Sequence, residues 1–237
     1  MIDDQRILIA GGGPVGLLCA WLIGRHGLPA RLFDNNNAVQ MDLRAATTHP
    51  ATLDLLDDAL VADMARVGLV APIFQFWDRP SHELVAQFDH AVLKNDTRHP
   101  FVVQCEQFKT AQLVLDRLQH YPNVEVLFDH EVIDVAQSAD AMAAQVRGPS
   151  GAIVQHSGVY LIGADGGRGT VRRRFGINFE GFTWPERFGR ARLLLPQLFR
   201  RSRRVVQLLQ GLGRRPTGTL ARGLSNRPGP KRREYIE

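Results

Sequence analysis

The segment QRILIAGGGPVGLLCAWLIGRHGLPARLFD, residues 5–34, leaves a chain few ways to fold. QRILIA is a short apolar strand that runs straight into Gly11, Gly12 and Gly13, then Pro14, Val15 and Gly16, and on into LLCAWLIGRHG, which has helical periodicity. A second strand, ARLFD, ends on Asp34, eighteen residues after Gly16. Strand, glycine turn, helix and strand make a βαβ unit. Gly11 permits the tight turn, Gly13 lets the backbone approach a pyrophosphate, and Gly16 lets the helix pack closely on the strand. The free N–H groups and positive end of that helix attract phosphates. Asp34, at the carboxyl end of the second strand, can accept hydrogen bonds from a ribose diol and repels a 2′-phosphate. The pattern points to an adenine dinucleotide such as FAD or NAD.

Composition excludes several other classes. A chain of 237 residues, 44% of them hydrophobic, can bury one sizeable core or two lobes. Cys19 and Cys105 are too few for a disulfide framework and have no metal-ligand spacing, so a reduced cytoplasmic setting is expected. Asp3 and Asp4 precede the first apolar run where a signal peptide carries positive charge, and no apolar stretch approaches the roughly 20 residues of a membrane span. His82, His90, His99 and His130 are scattered without paired ligand spacing, so no metal site is expected. The net charge of +5 is unevenly divided: residues 1–186 hold 15 of the 29 Lys+Arg and 22 of the 24 Asp+Glu, a balance of −7, whereas residues 187–237 hold 14 against 2, a balance of +12.

Beyond Asp34, Pro50 can open a helix at its first turn. APIFQFWD, ELVAQFD and FVVQ read as strands, EQFKTAQLVLDRLQHY as an amphipathic helix with Phe108, Ala111, Leu115 and Leu118 on one face, and VEVLF, HEVIDVAQ, MAAQVRG and AIVQ as further strands. GVYLIGA is another strand, ending just before Asp165, where ligands of open α/β sheets gather. Arg172, Arg173 and Arg174 then continue into a short helix. Isolated, such a helix would suit nucleic-acid phosphates; preceded by a strand and an Asp-Gly turn it reads as part of the dinucleotide site, and no nucleic-acid or membrane partner is expected of the body.

These motifs together resemble the FAD-dependent aromatic-ring hydroxylases, the single-component flavoprotein monooxygenases of the p-hydroxybenzoate hydroxylase and phenol hydroxylase type. Ala20, Ile23 and Gly27 continue the long dinucleotide fingerprint of the glutathione-reductase type, and Arg44 matches the arginine this family places beside the flavin. GADGGRGTVRR resembles the family's DGxxSxVR element: Asp165 and Gly166 fall on the Asp-Gly pair, Arg168 on the arginine, Val171 on the valine and Arg172 on the closing arginine. Gly169 departs from the pattern, standing where the family has serine. Gln104, at the end of FVVQ, resembles the family's flavin-contacting glutamine.

The resemblance implies an α/β fold: a Rossmann-like FAD-binding domain of glutathione-reductase type with an inserted mixed or antiparallel sheet, incomplete at its C-terminal end. Residues 1–187 would form the FAD-binding domain with part of the substrate-domain sheet. In residues 188–237 Arg is dense and strand periodicity is lost, so this tail reads as disordered or as out-of-frame text; a basic helix and a nucleic-acid-binding arm are the competing readings. The family's third motif, a Gly-Asp followed by Ala-His, does not occur in the chain. The implied activity is hydroxylation of a small phenolic substrate with O2, FAD as cofactor and NAD(P)H as co-substrate. Gly11, Gly13 and Gly16 would hold the pyrophosphate, Asp34 the adenosine ribose, and Arg44, Gln104 and Asp165 the flavin side, with Gly12, Pro14, Val15 and Gly166 completing the cofactor-binding set. No catalytic base is assigned. The alternatives are a non-catalytic FAD-binding fragment and a basic-tailed nucleic-acid-binding protein.

Overall fold

The computed structural model describes residues 5–41, 45–78 and 80–182. Arg44 and the tail 188–237 lie outside the described residues. In chain order the elements are β1 (Ile7–Ala10), α1 (Pro14–Arg25), β2 (Ala30–Phe33), β3 (Thr47–Thr48), α2 (Pro50–Leu53), α3 (Asp58–Val67), β4 (Leu69–Ala71), β5 (Ile73–Trp77) and β6 (Leu84–Asp89). A 3-10 turn at His90–Leu93 leads to β7 (Val102–Gln104), α4 (Gln107–Leu118), β8 (Val124–Leu127), β9 (Glu131–Gln137), β10 (Met142–Arg147), β11 (Ile153–Gly158), β12 (Tyr160–Gly163) and α5 (Thr170–Arg174).

A four-stranded parallel sheet, ordered β12-β1-β2-β8, organises the rest. Because side chains alternate across a strand, β1 and β2 feed two cores. Ile9, Ala30 and Leu32 face the helices, where Leu17, Ala20 and Trp21 of α1 meet Ala111, Val114 and Leu118 of α4. Leu8, Ala10 and Phe33 face the other way, onto Val132, Val135, Ala144 and Val146 of the antiparallel sheet β11-β10-β9 and onto Val171. Helices thus cover one face of the parallel sheet and an inserted antiparallel sheet covers the other, the α/β arrangement expected.

Local chemistry explains most boundaries. Pro14 occupies the first position of α1, where its missing N–H costs nothing. Gly16, Leu17, Ala20, Trp21 and Gly24 then repeat on one buried face. The helix opened by Pro50 stops at Leu53, and a new one starts where Asp57 accepts a hydrogen bond from the Leu60 N–H at 2.8 Å. Pro72, which has no N–H to give a ladder, sits where the chain changes sheets: β4 pairs with β7, and β5 pairs with β6. The stretch APIFQFWD therefore serves two sheets rather than one. On α4 the buried face runs through Thr110, Ala111, Val114 and Leu118, and Phe108 turns toward the cavity described below. Among the described residues no helix is long and apolar enough to cross a membrane, and no group of three or more His, Cys, Asp or Glu side chains is gathered that could hold a metal ion.

Candidate dinucleotide site

The carboxyl ends of β1, β2 and β12 open onto one cavity of about 620 Å³, inside the roughly 300–1,000 Å³ range of small-molecule sites. Its wall is built from three loops. The first is the turn between β1 and α1. Gly11 has φ +105°, and a Cβ there would stand 2.3 Å from the Ala164 carbonyl oxygen. A Cβ on Gly16 would stand 1.8 Å from the Gly11 carbonyl oxygen. Both positions need glycine because the turn folds onto the helix and onto the end of β12. Gly13 differs: a Cβ there meets no protein atom within 4 Å, so the space beside it belongs to the cavity. Gly11, Gly12, Gly13 and Pro14 line the cavity; Val15, 63% exposed, and Gly16 do not.

The second loop follows β2. Asp34 accepts the Gly12 N–H on Oδ2 at 2.6 Å and two N–H groups of Asn36 on Oδ1, the backbone at 2.8 Å and the side-chain amide at 2.7 Å. The carboxylate therefore joins the glycine turn to the polar run that follows, and it lines the cavity together with Asn35 and Asn36. Asp129 N–H donates to the Asn36 carbonyl and His130 N–H to the Asp34 carbonyl, each at 2.8 Å, which brings His130 and Glu131 into the same wall.

The third loop joins β12 to α5. Asp165 Oδ2 accepts the Val171 N–H at 3.1 Å and so holds the start of α5. Gly166, with φ +81°, carries the turn. A Cβ on Gly169 would lie 2.1 Å from Asp165 Oδ1 and 2.9 Å from the Gly166 carbonyl oxygen, so a side chain where the DGxxSxVR pattern has serine requires the Asp165 carboxylate to move. Arg168 and Arg173 complete the wall on this side. Arg172 instead fastens the segment after α5, because its Nη1 donates to the Ile177 carbonyl at 2.9 Å and its guanidinium lies 4.9 Å from the centre of the Phe179 ring.

The structure thus gathers Gly11, Gly12, Gly13, Pro14, Asp34, Asp165 and Gly166 around one space. Gln104 is placed elsewhere. As the last residue of β7 its backbone is paired within the β3-β7-β4 sheet, and its Oε1 accepts the Thr47 hydroxyl at 2.9 Å. Gln107 and Phe108, in the first turn of α4, line the cavity instead. Sequence reasoning missed Gln107, Asn36 and His130. The first two left a usable trace, a second glutamine at a helix start and a polar run after a strand-ending acid. The third reaches the cavity only through the pairing of the 34–36 and 129–130 loops.

Para-nitrophenol 4-monooxygenase of Pseudomonas sp. (strain WBC-3) is 31% identical over 182 residues, 76% of this chain and 45% of that protein. 6-Hydroxy-3-succinoylpyridine 3-monooxygenase of Pseudomonas putida is 32% identical over 191 residues, 79% of this chain and 48% of that protein. The crystal structure of p-nitrophenol 4-monooxygenase from Pseudomonas putida DLL-E4 superposes with a TM-score of 0.73 at 31% identity, covering 78% of this chain and 46% of that one. The chain spans about half the length of the relatives it matches. Residues 4–208 match the FAD binding domain family, a span that takes in all three loops of the cavity, and the chain belongs to that family.

Proposed function

We propose that the cavity seats FAD, and that the chain supplies the cofactor-binding part of an NAD(P)H-using monooxygenase that hydroxylates a phenolic ring with O2. The observation that carries the reading is the convergence of the α1 N-terminus, Asp34 and the Asp165–Gly166 turn on one cavity. The residues fit the group. The open space beside Gly13 admits a pyrophosphate and lies at the N-terminus of α1, whose first-turn N–H groups have no acceptor inside the helix and leave partial positive charge at that end. Pro14 presets the helix direction without an N–H of its own. Asp34, already ordered by three N–H groups, retains lone pairs for ribose hydroxyls. Gly12 is committed to Asp34 and acts through it.

On the flavin side Asp165 and Gly166 take the ribityl end and Gln107 lines the same cavity; Gln104, bonded to Thr47, keeps the flavin-side role its family position implies. Arg44 keeps the role its family position implies. When bound, FAD supplies hydride acceptance and oxygen activation, and the protein supplies orientation and exclusion of water. The named relatives, monooxygenases of p-nitrophenol and of a hydroxylated pyridine, support an electron-rich aromatic substrate.

The test is to purify the chain and record its visible spectrum, then follow NAD(P)H oxidation with a panel of phenols. A yellow protein whose NAD(P)H oxidation is stimulated by a phenol is the expected result. A yellow protein without turnover would reduce the reading to a non-catalytic FAD-binding fragment, and a folded protein that retains no flavin would overturn it.

A further inference from the structure

Past Asp34 the cavity wall holds an oriented polar atom to which the FAD seat assigns no role. His130 Nδ1 lies 2.6 Å from the Phe128 carbonyl oxygen. A carbonyl only accepts, so Nδ1 carries the proton, and in the neutral ring Nε2 is left as a lone-pair acceptor. Nε2 has no hydrogen-bond partner among the described residues, and its edge of the ring lies alongside Gly148. Nor is it sealed off: the one sealed and unpartnered side-chain atom among those residues is Nε of Arg172. The ring lines the cavity beside Asn36 and Glu131. Its backbone is fixed to that of Asp34 by the 2.8 Å bond from the His130 N–H, and the neighbouring Asp129 is fixed to Asn36 in the same way. The Glu131 carboxylate is turned to Arg147 at 2.7 Å.

We propose that His130 Nε2 accepts a hydrogen bond from the 6-amino group of the adenine, so that this chain selects 6-amino over 6-oxo purine dinucleotides. The inference rests on the FAD seat described above. With the pyrophosphate at α1 and the ribose at Asp34, the base would reach the stretch of wall past Asp34 that His130 lines. An amino group donates to the Nε2 lone pair. A 6-oxo group sets a second lone pair against it, and two acceptors facing each other forfeit that hydrogen bond.

Calorimetric titration of the full chain with ADP and with IDP tests this directly. The wild-type chain is expected to bind ADP about tenfold more tightly than IDP. His130→Phe should bring the two within about twofold, through weaker ADP binding, and His130→Gln, whose amide oxygen can accept, should recover part of the preference. A preference that persists in His130→Phe overturns the inference and leaves the FAD seat standing. Equal weakening of both nucleotides also overturns it, since that would place the ring against the ribose or phosphates. Failure of the wild-type chain to bind either nucleotide overturns both readings together.

Discussion

The Gly12 amide donates to the Asp34 carboxylate at 2.6 Å, tying the glycine turn after β1 to the residue that ends the neighbouring strand. One carboxylate thus organises the turn before any ligand arrives, since its other oxygen orders Asn36. Asp34→Ala leaves three N–H donors without this acceptor and should cost about 1–3 kcal/mol of stability. FAD affinity should fall with it. Urea denaturation together with a flavin titration checks both, and an unchanged flavin affinity in the folded variant would remove Asp34 from the ribose role.

Gly11 and Gly13 are two residues apart and should respond oppositely to the same substitution. Gly11→Ala places a Cβ 2.3 Å from a backbone oxygen at φ +105° and should destabilise the fold by at least ~2 kcal/mol. Gly13→Ala meets nothing in the protein, so its stability should stay within about 0.5 kcal/mol of wild type. Its flavin affinity should nevertheless drop about tenfold or more, because the added methyl enters the space assigned to the pyrophosphate. Thermal melts with and without FAD separate the two effects.

Gly169→Ser restores the residue type that the family motif carries, yet it should harm this chain. Its Cβ would lie 2.1 Å from Asp165 Oδ1 and 2.9 Å from the Gly166 carbonyl oxygen. Relief requires the Asp165 carboxylate to leave the Val171 N–H it now accepts. A loss of about 1–3 kcal/mol is expected, measurable by chemical denaturation. A neutral outcome would mean that the turn adopts a second conformation.

Acid should unfold the chain through carboxylates away from the cavity. Hydrogen bonds from Thr97 and His99 hold Asp54 below the usual carboxylate range, and those from Arg66 and Arg117 do the same for Asp63, which bridges α3 to α4. Burial pushes Glu125 up, but Arg31 and Arg6 outweigh it and leave it lowered. Groups lowered by folding contribute stability that is complete above the unfolded carboxylate values, about pH 4, and is lost as pH falls through their lower folded values. Urea midpoints should therefore hold steady from neutral pH down to about 5 and fall below about 4. Asp63→Asn should lower the midpoint at neutral pH and have little effect in acid.

The βαβ unit was legible in residues 5–34 because every requirement in it is local. A tight turn needs Gly11, a close helix needs Gly16, a helix start favours Pro14, and a strand end carries Asp34. The strands of the inserted sheet were legible for the same reason, since alternation is a property of neighbours. Gln104 and Gln107 show where that reading ends. Both flank the start of α4, and only the pairing of β7 with β3 and β4 consigns the first to Thr47 and leaves the second to the cavity. Likewise Gly169 reads in the sequence as a missing hydroxyl, whereas the folded loop shows that Asp165 already occupies the room a side chain would need.

Short-range backbone geometry and helix electrostatics dictate residue types at fixed spacings, so the class of fold, the glycine turn before α1 and the acid at the end of β2 could all be read from the order of residues alone. The company those residues keep around the cavity is set by long-range packing. His130 stands 96 residues from Asp34 in the chain and reaches it through backbone bonds between two loops whose strands lie side by side in a parallel sheet. No local pattern encodes that adjacency, since strand order follows from how two hydrophobic cores close on opposite faces of one sheet.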